Sequence, residues 1–369
     1  MPQAYPYPQV LSGQPGAVGP APTQTGTFPL PWRLGQTPLF RPCPTEAPCI
    51  LPSLNPGSFE GVLGFSYTRH CTDKILEVKP IFSLTRPVTV RTMSGMNKSS
   101  IQDRVRVIQA LVEGNSINST VRMTGIAKTT ILRIIRALGD ACQKFHDEQV
   151  KGLNSRRVQM DEVWAFVGAK ERNATREQKQ ALKWGDTWTW TAIDADSKLM
   201  ISWLIGPRHA GTAQQIMQDV AWRLNHRIQL TTDGLHAYWD AAGNAFDCEV
   251  DYAQLIKIYG PDLSTPTRYS PSQCIGIEIR PRIGNPDPKH VSTSFIERSN
   301  LSVRMGMRRY TRLTNAHSKK IENHVAMTTI FFTYYNWCRI HQTLRVTPAM
   351  AAGLTMRLWE IEDLVKLLK

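Results

Sequence analysis

The chain has 369 residues and a formal net charge of +14, from 44 Lys and Arg against 30 Asp and Glu. This length predicts two or three domains, and the charge predicts attraction to a polyanion, most commonly nucleic acid. The longest apolar runs, 199–206 and 330–337, are shorter than the ~18 to 20 residues of a membrane-spanning helix. We therefore expect a soluble protein, although charge alone does not distinguish DNA from RNA or a membrane surface.

The seven cysteines form neither a C-x-x-C pair nor a compact framework, and the N-terminus lacks the pattern of a secretory signal. These features predict a reduced, intracellular protein without structural zinc. They therefore also predict a cytoplasmic location.

The first 96 residues predict a proline-rich leader. Residues 1–56 contain fourteen of the 24 prolines and show no sustained period of a helix or strand. We expect a disordered, dispensable leader, or a start codon upstream of a working chain that begins near Met93 or Met96. A proline-rich interaction arm is the alternative interpretation.

Residues 97–150 predict a helix-turn-helix domain. Apolar residues at helical spacing predict a first helix over 101–113 and a second over 117–124, which end at Gly114 and Gly125. The apolar face of a third helix consists of Ile131, Ile134, Ile135 and Leu138. In a helix-turn-helix domain this third helix enters the major groove, whereas a plain helical bundle is the structural alternative. The residues that we expect to contact DNA are Lys128, Thr129, Thr130 and Arg133.

Residues 156–355 predict an α/β domain with a mixed sheet. Three β-rich runs, 157–167, 187–194 and 199–206, predict a meander of successive strands. Strands followed by helices and a further strand are typical of an α/β fold.

The order of elements after this meander is less regular. A helix is predicted over 211–226 and a short strand over 227–234, whereas the proline-rich stretch from about 260 to 294 is expected to be irregular. The C-terminal third is expected to be helical and to end with a helix over 356–369.

Two aspartates mark the first and fourth predicted strands. Asp161 lies inside the first strand, where Asp is disfavoured and burial of a lone carboxylate is costly; a salt bridge to Arg156 or Arg157 is the structural alternative. Asp233 closes the fourth strand immediately before Gly234, which is also typical of an ordinary turn residue.

A third acid, Glu297, opens a late helix and leads a cationic segment. The interval from Glu297 to Lys320 contains five arginines, two lysines and no other acid. At about 100° per residue, Arg304 and Arg308 share a helix flank with Glu297. An acid that complements the helix dipole is the alternative interpretation. The arginines that we expect to contact DNA are Arg298, Arg304, Arg308, Arg309 and Arg312.

Together, Asp161, Asp233 and Glu297 are the set of carboxylates that a two-metal phosphoryl-transfer site requires. Mg²⁺ prefers oxygen ligands, and Mn²⁺ is expected to substitute for it. The arginines near the last acid would then hold the phosphodiester backbone. Glu162 and Asp194 are expected to have supporting or structural roles.

At these residues the chain resembles the DDE transposases of bacterial insertion sequences, and most closely those of the insertion-sequence-one type. The resemblance covers roughly 97–355 and is carried by 160-MDEVWAFV-167, 189-TWTAIDADSKLMISWLIG-206, 230-LTTDGLHAY-238, 295-FIERSNLSVRMGMRRYTRLTNAHSKK-320 and 335-YNWCRIHQTLRVTPAMAAG-353. One departure from the simpler members is the long interval between Asp233 and Glu297.

The resemblance implies a ribonuclease-H-like core in which Asp161, Asp233 and Glu297 form the metal-binding triad. It also implies binding to terminal inverted repeats and target double-stranded DNA, strand cleavage and transfer, a homo-oligomer on DNA, and association with the nucleoid. Two other functions stay open from the residues alone. These are a DNA-binding regulator with an inherited, inactive catalytic domain, and a ribonuclease-H-like nuclease or resolvase without strand transfer.

Overall fold

The structure is a computed structural model that describes residues 99–260, 274–311 and 314–368. The predicted leader and Arg312 lie outside the described residues. All the described residues belong to one compact unit, Val90–Lys369.

Three helices form where the apolar periodicity predicted them: α1 (Ile101–Val112), α2 (Ile117–Thr124) and α3 (Lys128–Gln149). The Ser116 hydroxyl caps α2 by accepting a hydrogen bond from the Ser119 amide, and Gly125 ends it with a φ of 72°. The predicted apolar face of α3 is buried, with Ile131, Ile135 and Leu138 at 0% exposure.

A six-stranded mixed sheet follows, with the order β3-β2-β1-β4-β5-β6. Its strands are β1 (Arg157–Val167), β2 (Gly185–Asp194), β3 (Met200–Gly206), β4 (Gln229–Thr232), β5 (Asp251–Tyr259) and β6 (Cys274–Ile283). The first three strands form the predicted antiparallel meander, β4 and β5 run parallel to β1, and β6 returns antiparallel to β5.

Helices flank the sheet on both faces. Two helices, α5 (Ala210–Arg223) and α6 (Ala237–Ala245), cover one face, and α7 (Ser294–Gly306) and α8 (Ile321–Trp337) cover the other. The remaining helices are α4 (Arg176–Leu182), α9 (Pro348–Ala351) and α10 (Ile361–Val365). Because side chains alternate across a strand, Val163 of β1 packs with α7 and α8, whereas Met160 packs with α5 and α6. None of the described helices is long and apolar enough to cross a membrane.

The N-terminal helices share their core with the helices that cover the sheet. The apolar face of α3 lies in one cluster with α7 and α8, including Phe331 and Phe332. Helices α3 and α8 approach each other closely at Gly139 of α3, where an added Cβ would lie 2.6 Å from the Cβ of Ala326 on α8. This packing fixes the position of α3 relative to the sheet.

The structure corrects three expectations. The predicted irregular stretch contains β6, an edge strand along which Ile275, Ile277 and Ile279 alternate with other residues. This alternation was overlooked because the stretch around it is rich in proline. The predicted C-terminal helix over 356–369 is confined to Ile361–Val365. Finally, α7 ends at Gly306, and because Arg308 lies beyond this end it does not share a helix flank with Glu297. The Phe331 ring lies so close to Gly306 that there is no room for a side chain at this position.

Candidate metal site and nucleic-acid interface

The candidate site lies in a notch where β4 ends. Thr232, the last residue of β4, pairs with Met160 of β1 and Gln254 of β5, and both neighbouring strands continue beyond it. The chain leaves β4 at Asp233, directly beside the continuation of β1. The carboxyl ends of parallel strands are the usual place for a ligand in an open α/β sheet.

Asp161 is the acid on β1 at this notch. Its Oδ1 accepts a hydrogen bond from the Glu162 amide at 2.8 Å, and its Oδ2 accepts one from Asn300 Nδ2 at 2.7 Å. The suggested salt bridge to Arg157 does not form, because Arg157 pairs with Asp196 instead. Asp161 is therefore held by neutral donors, which leave its negative charge uncompensated.

Contacts between β1 and the start of α7 set the position of the third predicted acid. Gln159 Oε1 accepts hydrogen bonds from the amides of Phe295 and Ile296, at 3.0 and 3.1 Å. These bonds satisfy two amide groups that a helix leaves free at its N-terminus. They also fix the first turn of α7, which carries Glu297, against the strand that carries Asp161.

Three carboxylates meet at the notch. One oxygen each of Asp161, Glu162 and Asp233 lies within 4.8 Å of the others, a spacing that fits ligands of a single hard cation. Arg208 stands beside this cluster, 3.2 Å from Glu162 Oε2 and 3.7 Å from Asp233 Oδ2. Its guanidinium lies 4.9 Å from the centre of the Trp188 ring.

Glu297 stands next to the cluster but outside it. Its carboxylate pairs with Lys257 Nζ at 2.5 and 2.6 Å and accepts a hydrogen bond from the Thr293 hydroxyl at 2.6 Å. Its charge nevertheless contributes to raising the pKa of Asp161. The structure thus brings Asp161 and Asp233 together and places Glu297 close by, neutralised by a lysine.

The electrostatics of the cluster favour a cation. Burial raises the pKa of Asp161 to about 6, and the charges of Asp233 and Glu297 act in the same direction. Burial likewise raises the pKa of Glu162 to about 7, against the opposing effects of the Tyr238 hydroxyl and Arg208, and the charges of Asp233 and Asp161 contribute to the rise. Both shifts mean that the ionised forms of Asp161 and Glu162 are destabilised by their surroundings. A bound divalent ion would stabilise the ionised forms and so reverse both shifts.

The raised pKa of Asp161 predicts a pH-dependent stability difference. Between pH about 4 and 6 the folded metal-free protein binds more protons at Asp161 than the unfolded chain, so this residue lowers stability as pH rises. The shift from 3.8 to about 6 corresponds to at most about 3 kcal/mol. Wild type should therefore lose stability relative to Asp161→Asn across this window, measured by chemical denaturation in a chelator. A constant difference between the two proteins would contradict the assignment.

The residues predicted to contact DNA on α3 lie at the surface. Lys128, Thr129 and Arg133 are exposed and Thr130 is half-buried. Lys128 also lines a groove of about 310 Å³ with Arg308, which comes from the segment after α7. Asn115, Ser116, Asn118, Lys319 and Lys320 are among the other polar residues of this groove. The fold therefore joins two separately predicted basic segments in one surface.

The remaining predicted arginines differ in their surroundings. Arg298 is exposed and Arg304 is half-buried on α7. Arg309 is half-buried and lines the same groove as Lys128 and Arg308, and its Nη1 donates to the Asn323 carbonyl at 2.5 Å and to the Ser318 hydroxyl at 3.1 Å. Burial lowers the pKa of Arg309 to about 10. These hydrogen bonds fix the Arg309 guanidinium at the groove, and its contact with DNA stays a prediction.

Sequence reasoning missed four residues at the notch. Glu162 was given only a supporting role, and Asn300, Arg208 and Lys257 were not considered. Asn300 had a detectable signal, since it follows Glu297 by one helical turn and so shares its face. Lys257 had none, because β5 was not predicted.

Neither a protein-family model nor a curated protein sequence matches the chain. Among solved structures, the chain is similar to the Mos1 strand transfer complex, with 13% identity over 43% of this chain and a TM-score of 0.19. It is also similar to the piggyBac transposase synaptic complex with hairpin DNA, with 9% identity over 75% of this chain and 72% of that chain and a TM-score of 0.30. The alignment with the Mos1 strand transfer complex covers 59% of the length of the Mos1 chain. These TM-scores are too low to support an argument about fold or function.

Proposed function

We propose that this protein is a DNA transposase that binds the ends of a mobile element and catalyses metal-dependent phosphodiester hydrolysis and strand transfer. The observation that carries this proposal is the convergence of acids from distant parts of the chain at the end of β4. Asp161 and Asp233 share the carboxylate cluster, and Glu297 stands beside it on α7.

The residues of the notch suit a hard divalent cation. Their ligand atoms are carboxylate oxygens, their charges repel one another, and the donors to Asp161 are neutral. We assign Asp161, Asp233 and Glu297 as ligands for Mg²⁺, with Mn²⁺ as a substitute. Bound there, such ions would activate the attacking oxygen and stabilise the leaving oxygen of an in-line displacement.

The protein's own side chains orient these ligands. Asn300 fixes one oxygen of Asp161, and the Glu162 amide fixes the other. Gln159 holds the turn of α7 that carries Glu297. Lys257 neutralises Glu297, so Glu297 would exchange this partner for a cation if it served as a ligand. Arg208 places a positive charge near Asp233, where a phosphate oxygen of DNA would be attracted.

The mixed sheet and flanking helices are compatible with the ribonuclease-H-like core implied by the sequence resemblance. We further propose that α1, α2 and α3 form a helix-turn-helix unit that binds terminal inverted repeats through Lys128, Thr129, Thr130 and Arg133. Arg298, Arg304 and Arg308 would contact the DNA backbone nearer to the acids. A homo-oligomer that pairs two ends on the nucleoid completes the proposal.

The products of the reaction distinguish this function from its alternatives. Purified protein is incubated with Mg²⁺, a labelled element end and supercoiled target DNA. We expect a nicked end and a joined product. Cut strands without joining would favour a nuclease or resolvase, and a shifted but uncut DNA band would favour a regulator with an inactive catalytic domain.

A further inference from the structure

We propose that Glu162 is a fourth carboxylate ligand of the metal site, in addition to the predicted triad. This inference rests on the proposed function in one respect, which is that a divalent cation binds at Asp161 and Asp233. It goes beyond that function because the resemblance assigns Glu162 no role.

The first observation is an unsatisfied oxygen on a buried acid. The Glu162 side chain is only 2% exposed. Its Oε2 accepts from Arg208 Nε at 3.2 Å, whereas its Oε1 has no hydrogen-bond partner among the described residues. The Tyr238 hydroxyl is close enough to lower the pKa of Glu162 as a hydrogen-bond donor, but it lacks the geometry of a full hydrogen bond to Oε1 and is itself buried without another partner among the described residues. A buried carboxylate oxygen without a partner costs free energy unless a bound ion completes it.

The second observation is the distance to the other acids. A Glu162 oxygen lies within 4.8 Å of an oxygen of Asp161 and of one of Asp233, whereas Glu297 does not belong to this group. In the metal-free arrangement, Glu162 thus satisfies the spacing of a shared cation better than the third member of the triad does.

The fold explains how consecutive residues of a strand can both reach one ion. Side chains of Asp161 and Glu162 project from opposite faces of β1. Beyond Met160, however, none of the described strands lies beside β1 on this side, because β4 ends at Thr232. The two carboxylates therefore approach the same open notch from the two faces of the sheet.

A purely structural role for Glu162 would be to hold Arg208, and the experiment must separate the two roles. Binding of Mn²⁺ to the full-length, metal-free protein is measured by isothermal titration calorimetry for wild type and three variants: Glu162→Gln, Arg208→Gln and Asp161→Asn. Circular dichroism and thermal unfolding establish that each variant is folded. If Glu162→Gln does not fold, Glu162→Asp replaces it in the binding measurement. Glu162→Asp keeps the charge but shortens the side chain by one methylene, which moves its oxygens away from the site.

We expect Glu162→Gln to weaken Mn²⁺ binding at least tenfold, with a smaller loss for Glu162→Asp. Arg208→Gln should bind Mn²⁺ as tightly as wild type or more tightly, because it removes a positive charge that competes for the same oxygens. Equal losses in Glu162→Gln and Arg208→Gln would overturn the inference, because Glu162 would then act through Arg208. Unchanged affinity in Glu162→Gln, or in Glu162→Asp where that variant replaces it, would overturn it too.

Asp161→Asn distinguishes this failure from a failure of the proposed function. If Asp161→Asn loses Mn²⁺ binding while the Glu162 variants retain it, only the role of Glu162 is wrong. If wild type binds no Mn²⁺, or if Asp161→Asn binds it as wild type does, the metal site itself is wrong and both proposals fall.

Discussion

Asp161→Asn, Asp233→Asn and Glu297→Gln are each expected to reduce strand cleavage at a labelled DNA end by at least about a hundredfold. Each change removes a charged ligand and preserves the shape of the side chain. Folding and DNA-end binding should therefore survive. Losses in double variants should be far from additive, because ligands of one metal site act as a unit.

The matched control for this series is Glu322→Gln. Glu322 is an exposed acid in the first turn of α8, just as Glu297 lies in the first turn of α7. The Glu322→Gln variant should cleave DNA as fast as wild type. For the wild-type protein, Mn²⁺ should support DNA cleavage in place of Mg²⁺. Ca²⁺ should support binding of the DNA end with little cleavage, because the coordination of Ca²⁺ is looser. Robust cleavage by any of the three variants would remove that residue from the proposed site.

Loss of DNA-end binding is the second large effect that we expect, from Lys128→Gln combined with Arg133→Gln in the full-length chain. Both residues are exposed on α3, outside its buried face. Loss of a phosphate contact weakens all DNA sequences alike and lowers the salt dependence, whereas loss of a base contact costs about 1–3 kcal/mol for the correct sequence only. We therefore expect at least a tenfold loss for a terminal repeat and a smaller loss for scrambled DNA.

Fluorescence anisotropy across a salt series measures both quantities. The control is Lys151→Gln, which removes a positive charge from an exposed position beyond α3. It should bind the repeat as wild type does. Equal affinities of the double variant and wild type for the repeat would contradict the assignment of α3 as the DNA-reading helix. The full chain is required because α3 shares its core with α7 and α8.

The sequence was sufficient to predict elements with a strong internal period. The apolar face of α3 and the meander of β1, β2 and β3 were predicted because their buried side chains recur at regular spacing. In contrast, β6 was missed although Ile275, Ile277 and Ile279 alternate along it, because Pro281 lies within the strand and argued against a strand there. The pairing of β6 with β5 is a long-range contact that a local pattern does not encode.

The same distinction applies to the site. Asp161 was recognisable because an acid inside a strand is unusual, and Asp233 because it ends a strand. The roles of Glu162 and Arg309 depend on which way each side chain turns after folding. Glu162 reaches the notch only because β4 is short, and the direction of Arg309 is fixed by the Asn323 carbonyl of α8. Neither the length of β4 nor the position of the Asn323 carbonyl can be predicted from the residues next to Glu162 and Arg309.

The central claim is that the notch at the end of β4 binds the catalytic cation. Crystals of the full-length protein grown with Mn²⁺ would test this most directly, because an anomalous difference map locates manganese without assumptions about its ligands. The account predicts a strong peak in contact with both Asp161 and Asp233, which is lost in Asp161→Asn. No peak at these residues, at a Mn²⁺ concentration that supports DNA cleavage, would contradict it.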